Sequence, residues 1–158
     1  MSIKIEFRYS VLTSLLVLLW LILEYMTGLQ DIYIAWHAII SLLLSIIIPA
    51  VTYRLALKEK IEEKFNKLSF RQALLSGFLM TIFTSIFTIP VQWVFLKYVN
   101  PDFLESMIAY TVNSRGARAE QAAMYLNHTS YIIESAIITL IIGLVLSLIF
   151  AFRMRTVK

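Results

Sequence analysis

Long apolar runs separated by short polar segments dominate the sequence. The four runs lie at about residues 9–26, 32–53, 70–98 and 131–152. Each is close to or above the length of about 20 apolar residues that a helix needs to cross the hydrocarbon layer of a membrane. Because backbone groups in lipid must be hydrogen-bonded within the protein, these runs predict four membrane-spanning helices.

The first run has a second interpretation, because a basic start followed by an apolar stretch also describes a signal peptide. Here the run continues into EYMTGLQD, residues 24–31. It lacks the small-residue pattern of a cleavage site. We therefore expect it to be retained as the first span.

The segment 54–69, between the second and third runs, is rich in Lys and Glu. Its apolar residues recur at helical spacing, at Leu57, Ile61, Phe65 and Leu68. This pattern predicts an amphipathic helix. The helix would either extend the second span or lie on the membrane surface.

The polar segment before the fourth run predicts a pair of short helices over residues 101–127. Asn100 suits an N-cap and Pro101 the first helical position. Residues 113–116 (NSRG) suit a turn between the two helices.

The basic residues are distributed unevenly between the two ends of the spans. Of the 14 Lys and Arg, eleven lie in the N-terminal segment, the segment 54–71 and the C-terminus. These are Lys4, Arg8, Arg54, Lys58, Lys60, Lys64, Lys67, Arg71, Arg153, Arg155 and Lys158; the other three are Lys97, Arg115 and Arg118. Because basic residues in short loops favour the cytoplasm, both termini are predicted to be cytoplasmic, with the 101–127 pair outside.

Composition supports a membrane protein and excludes several kinds of site. The chain is 59% hydrophobic and 15% charged, whereas soluble domains average about 25% charged residues. It has no cysteine, which excludes disulfides, thiolate catalysis and Cys-ligated metals. We expect no metal and no cofactor. The chain has a net charge of +4. The basic residues behind this charge are explained by their expected position on the cytoplasmic side, so they do not indicate a nucleic-acid partner.

Small and polar residues form stripes along the spans, at spacings of three and four residues. The third span carries Gly77, Thr81, Thr84, Ser85 and Thr88, and the fourth carries Ser135, Thr139, Gly143 and Ser147. Such stripes let membrane helices approach closely and form hydrogen bonds with each other. The alternative is that they line a path for a solute.

Four other polar residues come from four different spans and fall near the predicted outer ends: Glu24, His37, Gln92 and Glu134. If they converge, a His among carboxylates could form a site that responds to protons or binds a cation or divalent metal. The alternatives are a structural polar cluster, or side chains that each reach the water at the membrane surface.

The third span and the segments after it resemble a known family. The motifs are LSFRQALLSGF, KYVNPDFLE, SRGARAEQAAMYLNHTS and IIGLVLSLIFAFRMR, with residues 100–105 (NPDFLE) the most specific. They are similar to small bacterial membrane proteins of the domain-of-unknown-function family forty-one ninety-nine. The resemblance implies a four-helix protein of the bacterial inner (plasma) membrane. It does not indicate any particular activity.

We therefore expect an all-α integral membrane four-helix bundle with one domain, residues 1–158. No Gly-rich phosphate loop, HExxH or Gly-x-Ser-x-Gly motif is present, so an enzyme is not expected. The leading hypothesis is a non-enzymatic structural or accessory protein that packs with lipid and with itself or a membrane-protein partner. The alternative is a small carrier or channel for a proton, cation or small solute.

Overall fold

The computed structural model describes residues 3–65 and 67–156, and this part of the chain is all-helical. Its α-helices are α1 (Lys4–Met26), α2 (Ile34–Glu63), α3 (Phe70–Val94), α4 (Phe103–Arg115), α5 (Ala119–Tyr125) and α6 (His128–Met154). A π-helical turn, Phe95–Val99, continues α3.

The helices α1, α2, α6 and α3 with its π-helical turn are, by length and composition, long and apolar enough to cross a membrane. This confirms the predicted all-α membrane bundle. The centre of the bundle is the pair α3 and α6, which pack against each other more extensively than any other two helices. Helix α1 packs against α3 and α2, and α2 completes the bundle against α1 and α6.

Local sequence signals explain where several helices begin and end. Ser69 and Gln72 form a capping box, in which each side chain accepts a hydrogen bond from the other residue's backbone N–H. Asn127 caps α6 by accepting from the Ser130 N–H at 3.0 Å. Gly116 ends α4 in a left-handed conformation, with φ +64°, which glycine adopts without steric cost.

The three basic segments lie at the same end of the bundle. Arg8 on α1 forms an ion pair with Glu59 on α2. Near the C-terminus, the Thr156 N–H donates to the Leu68 carbonyl at 2.8 Å. Lys158 lies outside the described residues. This shared end is the one that the charge distribution predicts to be cytoplasmic, and the orientation itself stays a prediction.

The sequence left one detail open, and another differs from the sequence expectations. The amphipathic segment after the second run is the continuation of α2, which runs unbroken from Ile34 to Glu63. Asn100 does not cap α4, because the N-cap position is Asp102. The Asn100 side chain is buried and instead donates to Gln30 Oε1 at 2.9 Å, so tertiary pairing displaced the expected local cap.

The buried apolar residues form separate clusters along the bundle. One cluster lies at the α4 end and includes Leu21, Phe95 and Phe103. Another, which includes Tyr53 and Met80, lies nearer the basic end. Polar residues from all four long helices line a space inside the bundle.

Candidate functional site

A cavity of about 260 Å³ lies within the bundle and is lined by residues of α1, α2, α3 and α6. We call it the central cavity. Its polar lining consists of Thr13, Ser14, Trp20, His37, Ser41, Ser45, Tyr53, Thr84, Thr88, Gln92, Tyr131, Ser135 and Thr139. Hydroxyl, indole, imidazole and amide groups thus occur among aliphatic side chains around a space that is large enough for several water molecules or a small solute.

Glu24 and His37 pair at the α4 end of this cavity. The His37 Nδ1 atom lies 3.4 Å from Glu24 Oε2, and both side chains are almost wholly buried. Trp20 Nε1 donates to Glu24 Oε1 at 2.6 Å, and the Ser41 hydroxyl donates to the same oxygen. Gln30 Nε2 donates to Oε2 at 3.1 Å. Both carboxylate oxygens are therefore saturated by protein donors, which is what a buried charge requires.

The set Ser41, His37 and Glu24 has the composition of a hydrolytic triad but not its geometry. In a triad the nucleophile and the carboxylate bind opposite nitrogens of the imidazole. Here Ser41 Oγ lies 3.2 Å from His37 Nδ1, the same nitrogen that faces Glu24. The Ser41 hydroxyl also donates directly to Glu24. The imidazole is thus not placed to relay a proton from Ser41 to the carboxylate.

Two buried polar atoms of the cavity lining have no hydrogen-bond partner among the described residues: Thr84 Oγ1 and Gln92 Oε1. Neighbouring hydroxyls behave differently, because Thr88 and Thr139 donate to carbonyls one turn earlier, at 2.9 and 2.8 Å. Thr84 and Gln92 are eight residues apart, about 12 Å along a helix axis. They mark two positions on the α3 wall where a bound molecule would find a free polar group.

The structure brings together three of the four polar residues singled out in the sequence. Glu24 contacts His37, and His37 shares the central cavity with Gln92. Glu134 is exposed on α6 and does not line the cavity. Among the residues described, no group of three or more His, Asp or Glu side chains is arranged to hold a metal ion.

The small-residue stripes form the contact between α3 and α6 towards the basic end. A Cβ atom on Gly77 would lie 2.9 Å from Ser147 Cβ, and one on Gly143 would lie 2.6 Å from Thr81 Cγ2. Only glycine allows these approaches. The hydroxyls of Thr81 and Ser147 lie 3.1 Å apart across the interface, so close packing and interhelical hydrogen bonding occur together.

Towards the α4 end, residues of the same stripes both contact the other helix and line the central cavity. Ser85 donates to the Ala136 carbonyl at 2.7 Å, and the hydroxyl oxygens of Thr88 and Thr139 lie 3.4 Å apart. Thr84 and Ser135 line the central cavity, as do Thr88 and Thr139. The stripes thus pack the two helices together, and part of them also lines the central cavity; a path for a solute stays a prediction.

Sequence reasoning missed a second buried charged pair near the basic end. Glu6 and Lys60 are fully buried and form an ion pair, and Ser76 donates to Glu6 Oε1 at 2.6 Å. Glu6 Oε2 has no hydrogen-bond partner within the described part of the chain. The available signal was the polar series Glu6, Ser10 and Thr13 on α1, whose helical spacing marks one buried face.

A comparison with protein families identifies the chain over nearly its whole length. The profile described as "Protein of unknown function (DUF4199)" matches residues 8–156. The chain belongs to this family. The match confirms the family suggested by the sequence, and it covers the four long helices except for the first four residues of α1. The DUF4199 description carries no activity. Comparisons with curated proteins and with solved structures gave no match.

Proposed function

We propose that this multi-pass DUF4199 protein binds a small solute in its central cavity and acts as a carrier. The observation that supports this proposal is a pair of buried polar atoms, Thr84 Oγ1 and Gln92 Oε1. Both line the cavity between the four spans, and neither has a hydrogen-bond partner among the described residues. A buried polar atom without a partner destabilises a protein by about 1–3 kcal/mol. A bound solute or water that supplies the partner would remove that cost.

The cavity volume limits the size of the solute. A cavity of about 150 Å³ holds benzene, which has six non-hydrogen atoms. By proportion, about 260 Å³ accommodates a molecule of roughly ten non-hydrogen atoms. Aliphatic groups such as Val17, Ile138 and Ile142 also line the space, so a solute with both polar and apolar parts fits best.

The polar groups indicate the chemistry of the solute. Gln92 Oε1 is an acceptor and requires an N–H or O–H donor from its partner. Glu24 already accepts hydrogen bonds from three protein donors. Among the described residues, no Asp or Glu lines the central cavity, so the lining offers no free carboxylate to a metal cation. An amine or alcohol suits this lining, whereas a carboxylate would meet the Gln92 oxygen without a donor.

A binding experiment on purified protein in lipid nanodiscs tests this proposal. The probes are tyramine, phenethylamine and benzyl alcohol, with phenylacetate as the carboxylate comparison. We expect the donor-bearing probes to raise the Tm, since a ligand at 100 times its Kd stabilises by about 2.7 kcal/mol. Proteoliposomes loaded with the best probe then test for exchange across the membrane.

Two variants that each replace an amide side chain with leucine give the contrast. Gln92→Leu removes the unpartnered acceptor and should weaken binding of the donor-bearing probes by about tenfold, the equivalent of one net hydrogen bond. Asn113→Leu is the matched control, because Asn113 also carries an amide, is exposed on α4 and does not line the central cavity. If no probe stabilises the protein, or if Gln92→Leu binds all probes as well as the unmodified chain, the proposal is wrong.

The structural or accessory role expected from the sequence stays a prediction, as do a homo-oligomer and a membrane-protein partner. A non-enzymatic role fits the arrangement of Ser41 and Glu24 on a single nitrogen of His37. The bacterial inner membrane and cytoplasmic termini also remain proposals. The cytoplasmic termini rest on the excess of basic residues at one end of the bundle, and the bacterial inner membrane rests on the family resemblance.

A further inference from the structure

A second cavity of about 390 Å³ lies between the beginning of α2 and the helices α4 and α5. We call it the outer groove. Its polar lining includes Tyr110, Thr111 and Gln121, and Met107 and Leu126 contribute apolar surface. Polar and apolar groups thus occur together here, as they do in the central cavity.

Two residues, His37 and Ala38, line both the outer groove and the central cavity. The two spaces are therefore separated at this point by side chains of a single helical segment. Ala38 contributes only a methyl group, so the imidazole of His37 supplies most of the bulk between them.

The imidazole is held in this position from several sides. Glu24 on α1 and Ser41 on α2 lie 3.4 and 3.2 Å from its Nδ1 atom. The ring of Phe103, at the start of α4, packs edge-on with its centroid 5.2 Å away. Helices α1, α2 and α4 therefore meet at one side chain, and the α4 contact is the Phe103 ring.

We propose that the outer groove is the entrance of the central cavity and that the His37 imidazole is the barrier a solute must displace. This rests on the proposed function, because the occupant is the same donor-bearing solute. On leaving water, the solute would exchange its hydration for the polar groups of Tyr110 and Gln121. It would then pass His37 towards Gln92, which also lines the central cavity.

Cysteine accessibility tests this route, because the chain has no cysteine and one engineered thiol is a unique reporter. Ser135→Cys places it on α6 in the central cavity and outside the outer groove. The probe is a charged methanethiosulfonate reagent added to protein in nanodiscs. His37→Ala should raise the labelling rate about tenfold or more.

Two further variants make the result specific. Ile39→Ala is the matched truncation, because Ile39 is exposed on α2 and lines neither cavity; it should leave the labelling rate unchanged. Ala35→Trp fills the outer groove alone, since Ala35 lines that groove and not the central cavity. Added to His37→Ala, it should return labelling to the slow rate.

The proposed entrance is wrong if His37→Ala leaves the rate unchanged, if Ile39→Ala raises it equally, or if Ala35→Trp has no effect. His37→Gln, which retains polar atoms but lacks the ring, replaces His37→Ala if the latter does not elute as a folded species. Fast labelling without probe binding would support the entrance and contradict the carrier. Probe binding with an unchanged labelling rate would support solute binding in the central cavity and contradict the entrance.

Discussion

Adding one methyl group at Gly143 tests whether the α3–α6 contact is as rigid as the structure indicates. In Gly143→Ala the new Cβ would lie 2.6 Å from Thr81 Cγ2, 2.7 Å from Thr81 Oγ1 and 3.0 Å from the Tyr53 hydroxyl. Carbon atoms pack best at about 3.5–4.0 Å. A shift of roughly 1 Å is therefore required somewhere in the interface.

Thr81 is poorly placed to supply that shift. Its hydroxyl donates to the Gly77 carbonyl at 2.9 Å and lies 2.5 Å from the Tyr53 hydroxyl and 3.1 Å from Ser147 Oγ. Overpacking of a well-filled core destabilises by about 1–3 kcal/mol. Because these neighbours are fixed by hydrogen bonds, we expect Gly143→Ala to lower the free energy of unfolding by about 2 kcal/mol.

A double-mutant cycle with Thr81→Ala isolates the clash. Thr81→Ala alone should cost about 1 kcal/mol, as expected for interhelical hydrogen bonds in membranes. It also removes the two atoms nearest to the new methyl group, so the double variant should be little worse than Thr81→Ala. The expected coupling is about 2 kcal/mol.

The assay is reversible unfolding by steric trapping in bicelles, which gives a free energy for each variant. Additivity of the two changes within about 0.5 kcal/mol would refute the reasoning. It would mean that the interface yields elsewhere and that Thr81 does not limit the approach of α6.

Other changes follow from the same structure. In the steric-trapping assay, Glu6→Gln or Lys60→Met should each destabilise by about 3–5 kcal/mol, because one buried charge loses its partner; the double variant should cost less than their sum, and additive costs would contradict the pairing. At Gly116, with φ +64°, alanine should cost about 1 kcal/mol and asparagine less, and equal costs would contradict the backbone argument. Glu134→Gln should leave stability and probe binding unchanged, whereas Glu24→Gln should impair both; an equal effect of the two would place Glu134 at the site after all.

The four long helices were predictable because their signals are local. Apolar runs of sufficient length leave the backbone no alternative to helix in a membrane. Capping signals at Ser69 and Asn127 need only residues three positions away. The clustering of basic residues at one end also followed from counting along the chain.

The sequence grouped the polar residues only by approximate depth. It predicted similar depths for Glu24, His37, Gln92 and Glu134. Depth leaves the rotation of each helix open, and a quarter turn moves a side chain from the bundle interior to its surface. Packing turned Glu134 outward while Glu24 became buried.

By itself, then, the sequence determined the number of long apolar helices and the family. The tertiary structure decided which polar side chains meet, since each pairing joins residues far apart in the chain. Glu6 finds Lys60 and Asn100 finds Gln30 across different helices. The central cavity has the same origin: it forms where α2 packs less extensively than α3 and α6 do, and no single helix encodes that space.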